Sequence, residues 1–424
     1  MWIGIDDTDS AQGGCTTYVA TEVIKELSNK FDLIGFPRLV RLNPNIPWKT
    51  RGNGAIALHF GHGYGKKFEI GHIGKKIYAY ERGINKFEDV SEELEKIIHA
   101  RAFLEDEKTN PAFVICRKKP SYSFYKKAVR GIVTIEEAKM EAKNCIYKAY
   151  KNGRGIIGSV AAISWKPYDR TYELITYARK KWVDEESVIK MDKECKSCFD
   201  NYDYENKHIA IMPHAKSPVL YGIRGEDADE LKKAMGIVIS SQIERWIIFE
   251  TNQATDEHLQ KKKIKDVKPY ESVIVKGIVK KEPHVIKGGH VIFSIYDGNE
   301  IECAAYEPTK RFRNIIKKLR KGDVVVVYGG VRKKPLTINI EKIKIEKLAK
   351  VYEKMENPIC PKCGKHMKSM GRGKGYRCPK CGIKAGEDKA RYEIVERGIK
   401  PGFYEVPVVA RRHLAKPLKR MKLS

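Results

Sequence analysis

No run of about 18 apolar residues occurs in the 424-residue chain, so no membrane-spanning helix is expected. The first residues lack the basic start of a secretory signal. No G-x-x-x-x-G-K-[ST] loop is present, so the commonest phosphate-binding loop is absent. The ten cysteines do not read as a disulfide framework, because four of them fall in two neighbouring C-x-x-C units. That usage fits metal binding in a reducing compartment and a cytoplasmic protein. Acidic residues are scarce towards the end: residues 261–424 hold 42 Lys and Arg against 17 Asp and Glu, whereas residues 1–260 hold 40 against 37. An excess so confined points to a near-neutral catalytic half followed by a basic half that binds nucleic acid. The apolar content of 42% is ample for packed cores, and the length suggests about two to four domains.

The most informative stretch is Gly4-Ile5-Asp6-Asp7-Thr8-Asp9-Ser10 with Gly13-Gly14-Cys15-Thr16-Thr17. Trp2 to Ile5 reads as a strand that ends in three carboxylates within four residues. Val19, Ala20, Val23, Ile24 and Leu27 then follow at helical spacing. Crowded carboxylates repel unless a cation joins them, and Mg²⁺ prefers one or two carboxylates plus substrate phosphates. Thr16 and Thr17 open a helix, whose free N–H groups favour anions. Asp6, Asp7, Asp9, Thr16 and Thr17 are therefore candidate catalytic residues of a Mg-nucleotide site, against the plainer reading of a capped turn.

The following sequence mixes strands and helices in an α+β body. A strand is expected around Ile34–Leu42 and another at Gly54–Phe60. A helix is expected at Ser91–Ala100 and one over Ile135–Tyr150, with Thr134 and Glu137 as a capping pair. Gly153–Ser159 is glycine-rich and is expected to precede a strand at Val160–Trp165. Gly153, Arg154, Gly155 and Ser159 are candidate phosphate contacts, or simply a tight turn. Asp256–Val267 reads as a charged linker. From Ser272, five short strand-like runs with a helix at Arg311–Leu319 after the third resemble an OB-fold barrel. Arg311, Arg313, Lys333 and Lys334 are its candidate RNA contacts. Cys360, Cys363, Cys378 and Cys381 form a C-x₂-C-x₁₄-C-x₂-C set, a closed tetrahedral site for structural Zn²⁺. Cys195 and Cys198, followed by His208 and His214, read as a second metal site or as ordinary loop thiols. Cys116, Cys145 and Cys303 look like core positions. The basic end, with Arg411, Arg412, Lys416, Lys419, Arg420 and Lys422, reads as a tail that is flexible or ordered by RNA.

The expected fold is thus α+β and multidomain. Residues 1–170 form an ATP/Mg-binding kinase-like catalytic domain with an inserted segment near 61–115, and 171–258 a ferredoxin-like domain. Residues 268–350 form the OB-fold barrel, 355–390 the zinc ribbon, and 391–424 the basic tail.

The Gly4–Ser10 and Cys15–Thr17 pattern resembles the opening of the archaeal tRNA(Ile) 2-agmatinylcytidine synthetases. Further similarity lies in Arg51-Gly52-Asn53-Gly54, Gly153–Ser159, Pro218–Gly225 and Thr251–Asp256, so the resemblance covers essentially the whole chain. It implies a ligase that uses ATP to attach agmatine to carbon 2 of the wobble cytidine of isoleucine tRNA with a CAU anticodon, so that AUA is decoded. It also implies activation of the cytosine oxygen by phosphorylation, with Thr16 as a phosphorylation site. The S-G-G-x-D-S loop of bacterial enzymes doing the analogous lysine reaction is missing, so ATP must be handled differently. ATP, Mg²⁺ and Zn²⁺ are the implied cofactors, tRNA and agmatine the partners; neither a membrane nor an obligate protein partner is expected. A single-stranded nucleic-acid binder without ligase activity would explain residues 268–424 but not the Asp cluster.

Overall fold

A computed structural model describes residues 1–50 and 52–421; Arg51 of the Arg-Gly-Asn-Gly motif and Lys422 of the basic tail lie outside the described residues. The body is built from β1 (Trp2–Asp6), α1 (Thr16–Leu27), β2 (Asp32–Ile34), β3 (Arg38–Arg41), β4 (Gly54–Ile73), β5 (Lys76–Asn85), α2 (Ser91–Arg101), β6 (Ala112–Cys116), α3 (Tyr122–Arg130), α4 (Ile135–Glu141), β7 (Ile146–Ala149), α5 (Gly155–Ser164), β8 (Thr171–Tyr177), α6 (Glu185–Glu194), β9 (Tyr202–Asp203), β10 (His208–Ile209), β11 (Val219–Gly225), α7 (Ala228–Ile237) and β12 (Arg245–Thr251). Ten of these strands join one sheet, in the order β11-β8-β12-β3-β4-β1-β6-β7, with β2 and β5 alongside β4. Alternate residues face opposite sides. Ile175, Ile247 and Phe249 join the core under α1 and α2, while Leu174 and Ile248 face α6 and α7. Helices α3, α4 and α5 cover the other half of that second face.

Three expectations for the body need correction. Val160–Trp165 is not a strand: α5 runs from Gly155 to Ser164, and nearly all of it is buried. A short run that is almost wholly apolar has no polar face, so periodicity cannot separate helix from strand. The helix expected over Ile135–Tyr150 stops at Glu141, and Ile146–Ala149 pairs with β6 at the sheet edge. Its start is as expected, with Thr134 and Glu137 forming a reciprocal capping box. The glycine-rich stretch after Phe60 continues β4 into a long hairpin with β5. A Cβ at Gly61 would lie 2.2 Å from the carbonyl oxygen of Ile84, so the glycine permits close strand contact.

The second half holds a closed barrel of β14 (Ser272–Ile286), β15 (His290–Tyr296), β16 (Glu300–Ala305), β17 (Val324–Arg332) and β18 (Thr337–Lys347), with α8 (Phe312–Lys317) after the third strand. The expected linker is ordered: β13 (Leu259–Lys261) pairs with β14, and buried His258 meets Glu341 of β18 at 3.0 Å. A two-stranded stalk, β19 (Tyr352–Glu356) with β23 (Arg391–Ile394), carries the ribbon strands β20 (Lys368–Ser369), β21 (Tyr376–Arg377) and β22 (Lys384–Ala385).

The basic end is not a free tail. Strand β24 (Gly402–Glu405) adds to β18, and the chain then crosses between the barrel and the body. Arg411 pairs with Asp200 and with Glu405, Arg412 with Glu341 (3.3 Å), Lys416 with Asp169 (2.8 Å), and Arg420 with Asp169 and Glu226. Lys419 donates to the carbonyl of Cys198. Buried Lys342 of the barrel joins Asp256 of the body and the carbonyl of Lys416, both at 2.7 Å. The basic side chains thus spend their charge on interdomain carboxylates. No helix among the described residues is long and apolar enough to cross a membrane.

Candidate active site

Strands β1 and β3 both run antiparallel to β4, and β12 runs parallel to β3, so Asp6, Arg41 and Thr251 end at one edge of the sheet. The Asp loop grows from this edge. Glycines set its depth: a Cβ at Gly4 would lie 2.2 Å from the carbonyl oxygen of Ser159, and one at Gly158 only 1.9 Å from Asp6 Oδ2. Helix α5 therefore packs directly against β1, and Asp6 lies over its backbone. Asp7 is held at a positive φ of 56°.

The carboxylates are poorly solvated. Burial, then the charges of Asp7 and Asp9, raise the Asp6 carboxyl well above its ordinary range. Burial also raises Asp7 to about 6, against the pull of Arg154, whose guanidinium is 3.4 Å away. Asp9 is engaged differently: its Oδ1 accepts the backbone N–H of Thr16 at 2.7 Å and the Thr16 hydroxyl at 3.0 Å. Thr8, fully buried, donates its hydroxyl to Thr16 Oγ1 at 3.0 Å.

Asp6, Asp7, Asp9, Thr16 and Arg154 line a cleft completed by Trp48, Lys49, Thr50, Asn53 and Gly158. Burial, with nearby Arg412, lowers Lys49 to about 8. Lys49 and Thr50 lie in an irregular loop with no motif of their own, so no local pattern marks them. Of the expected phosphate contacts, Arg154 reaches the cleft. Ser159 does not: it is fully buried and its hydroxyl serves the carbonyls of Ala112 and Gly155. Gly155 lets α5 approach the backbone of Asn110 and Ala112, and Gly153 makes a left-handed turn at φ 77°. This segment is helix packing more than a phosphate cradle.

A second cavity, of about 270 Å³, lies on the far side of Asp9 and Thr16. Thr17, Arg41, Glu173, Arg224 and His413 line it, while Asp9, Thr16 and Gly54 belong to both spaces. Thr16 therefore stands in the wall between them. Asn252 fixes this edge by bonding both backbone groups of Arg41, at 2.7 and 2.8 Å.

In the ribbon, the donor atoms of Cys360, Cys363, Cys378 and Cys381 lie within 4.8 Å of one another. Each knuckle closes on a glycine in the left-handed region: Gly364 (φ 67°) donates to the Cys360 carbonyl and Gly382 (φ 71°) to that of Cys378. Four thiolates so gathered fit a structural Zn²⁺. Among the described residues this is the one such set of three or more donors, so the three Asp carboxylates do not converge on a single point. Cys195 and Cys198 are joined as a disulfide, as are Cys116 and Cys145, which corrects the expectation of free thiols or a second metal site. Of the barrel residues, Lys333 and Lys334 are exposed. Arg311 faces Glu205 at 3.2 Å, and Arg313 is tied to Glu307 and the carbonyls of Gly289 and Lys310. Arg313 is a structural tie.

An acidic cleft sharing a threonine wall with a second polar cavity, on a body clamped to an oligonucleotide-type barrel and a zinc ribbon, defines a class: ATP-dependent enzymes that act on RNA. Family models agree segment by segment. The TiaS TCKD domain matches residues 2–154, the TiaS FLD domain 153–258, the OB-fold nucleic acid binding domain 273–346, and the TiaS C-terminal zinc ribbon domain 357–399. The isoleucine-tRNA 2-agmatinylcytidine synthetase TiaS of Methanocaldococcus jannaschii is 45% identical over 100% of this chain and 99% of its own. That of Archaeoglobus fulgidus is 44% identical over 100% and 98%. A solved complex of TiaS with its isoleucine tRNA and ATP superposes with a TM-score of 0.85 at 42% identity, covering 100% of this chain and 97% of that one. A complex of TiaS with the same tRNA, AMPCPP and agmatine gives 0.81 at 40% identity, with the same coverage. The chain belongs to the isoleucine-tRNA 2-agmatinylcytidine synthetase family.

Proposed function

We propose that this chain uses ATP to join agmatine to carbon 2 of the wobble cytidine of isoleucine tRNA with a CAU anticodon. The observation that carries the reading is Thr16, held by Asp9 and Thr8 in the wall between two cavities. ATP occupies the Asp-lined cleft, with its phosphates near Lys49, Arg154 and the start of α1. Asp9 accepts the proton of the Thr16 hydroxyl, and Thr16 takes the γ-phosphoryl group and passes it to the cytosine oxygen. Positioning and charge stabilisation do most of the work in such transfers. A phosphorylated oxygen leaves readily, so the amine of agmatine displaces it from carbon 2.

Hard carboxylate oxygens that are buried and mutually repelling fit Mg²⁺. Asp6 and Asp7 would hold it, with Asp9 nearby and phosphates completing its shell. When bound it neutralises phosphate charge. The target base lies in a single-stranded loop, which lowers the cost of extruding it. Exposed Lys333 and Lys334 and the ribbon lysines are suited to the tRNA backbone. We take residues 1–170 as the catalytic unit and 171–258 as the ferredoxin-like unit, and place the enzyme in the cytoplasm, where its tRNA is. Nucleoside mass analysis of the tRNA after incubation with protein, Mg-ATP and agmatine tests this. A cytidine gaining agmatine less water, only with ATP, is the expected product; unmodified but tightly bound tRNA would refute ligation.

A further inference from the structure

The second cavity holds two guanidinium groups and little to balance them. Arg41, at the end of β3, has a side chain only 15% exposed, and its Nε has no partner among the described residues. Its ion-pair partner is Glu173, at 3.7 Å. The same Glu173 faces Arg224 of β11 at 3.4 Å and also accepts from Gln253. One buried carboxylate thus serves two arginines and an amide. The other acid on the wall, Asp9, is already taken by Thr16. His413, brought in by the C-terminal strap, adds no charge: Arg41 first, then burial and Arg224, push its imidazole well below its usual range. The first turn of α1 opens onto the same space, with Thr16 and Thr17 on the wall. Largely buried cations that share one ion-paired carboxylate, with only the charges of Asp9 near Arg41 and Asp200 near Arg224, not ion-paired to them, besides, sit beside a helix N-terminus and are poised for an anion.

We propose that Arg41 and Arg224 form the phosphoryl-binding site of the acceptor cavity, holding the phosphate while it is carried on the cytosine oxygen and as it departs. This rests on the ligation reading above. In the step, the amine nitrogen bonds to carbon 2 and the carbon–oxygen bond breaks. The oxygen leaves with the bonding pair as inorganic phosphate, which takes up the proton released by the amine. Guanidinium forks match the phosphate oxygens and lower the cost of that departure. Glu173 keeps the two guanidiniums in place between turnovers and is displaced in charge terms, not in position, by the incoming dianion. Arg224 lies in the Pro218–Gly225 segment and Arg41 in no motif, and no local pattern points either arginine to this role. They lie far apart in the chain, and only the sheet order β11-β8-β12-β3 brings their strands to one edge.

The test uses the full chain with its zinc, the variants Arg224→Gln and Glu173→Gln, and inorganic phosphate as the probe. Arg224→Gln is expected to slow single-turnover conversion of bound tRNA by about 100-fold, in line with the loss of one charge-stabilising donor. The Michaelis constant for tRNA should stay within about threefold, and ³²P from γ-labelled ATP should accumulate on Thr16. Thermal stabilisation by inorganic phosphate should weaken in Arg224→Gln and strengthen in Glu173→Gln, which removes the one carboxylate ion-paired with both guanidiniums. Phosphate stabilisation unchanged in both variants would overturn the site. So would an Arg224→Gln enzyme with a raised Michaelis constant for tRNA and normal turnover, since the arginine would then contact the RNA backbone. If the unmodified chain makes no agmatinylcytidine, the ligation reading fails, while the phosphate titration still reports on the anion site.

Discussion

Asp9 Oδ1 accepts both the backbone N–H and the hydroxyl of Thr16, at 2.7 and 3.0 Å, so one carboxylate fixes the helix start and aims its first side chain. The two bonds separate in mutants. Asparagine at position 9 keeps an oxygen for the N–H but cannot take a proton from the hydroxyl.

Asp9→Asn should therefore lower the ligation rate by about 10²- to 10³-fold, the usual scale for a lost general base, while tRNA affinity stays within about threefold. Thr16→Ala should abolish turnover, and Thr16→Ser should restore part of it. Single-turnover kinetics with labelled agmatine measure all three. A fully active Thr16→Ala enzyme would remove Thr16 from the phosphoryl path.

Asp7 is raised from 3.8 to about 6 in the folded chain, chiefly by burial. For a carboxyl with a raised folded value, the proton is bound more tightly in the folded state. Its ionisation therefore costs stability as pH rises from about 4 through about 6. A bound divalent cation reverses that cost. Mg²⁺ should raise the melting temperature more at pH 7.5 than at pH 5, and Asp7→Ala should abolish turnover and most of this increment. Equal Mg²⁺ shifts at both pH values would argue against carboxylate ligation.

Cys363→Ser removes one of four converging thiolates. The protein should lose its zinc, measured by elemental analysis, and bind tRNA more weakly. The melting of the body should change little, because the ribbon has its own small core reached by the β19–β23 stalk. Unchanged zinc content would refute the site.

Glu341 is buried at the barrel–body seam. Burial alone would raise its carboxyl, but His258 and Arg412 outweigh this and hold it down at about 2. A lowered folded value means stability that is present above the unfolded value near 4.5 and lost as pH falls towards 2. Glu341→Gln should flatten the stability profile in that window and lower the melting temperature at pH 7. A profile unchanged by the substitution would show that the seam does not depend on this charge.

The affinity for tRNA should fall steeply between 50 and 200 mM salt, by about 10³-fold or more if six or more phosphates are met. Filter binding at graded KCl gives the slope. A flat slope would mean that the basic surplus of residues 261–424 is spent inside the protein, as the strap residues already show for part of it.

Much of this arrangement is legible in the chain because it is local. The strand ending at Asp6, the helix opening at Thr16, the five barrel strands and the cysteine knuckles each follow from spacing within a few residues. Helix α5 was not legible, because Gly155–Ser164 is buried on almost every side and has no polar face to set a period. The order of the expected linker was hidden too, since His258 is explained only by Glu341, 83 residues later. Arg41, Arg224 and His413 share a cavity through sheet order and the return of the strap, and no local pattern announces either. The basic end reads as a tail because its partners, Asp169, Asp200 and Glu226, are scattered over the body, far away in sequence.

The strap has a temporal consequence. Residues 402–421 are made by the ribosome after every domain they clamp. Each unit must therefore reach its fold in the order of synthesis and wait, loosely tethered, until the last crossing segment emerges. His413 then enters the cavity wall as Arg411 and Arg420 find their carboxylates. Catalytic competence in this chain is a property acquired only once residues 402–421 have emerged, when barrel and body become one machine.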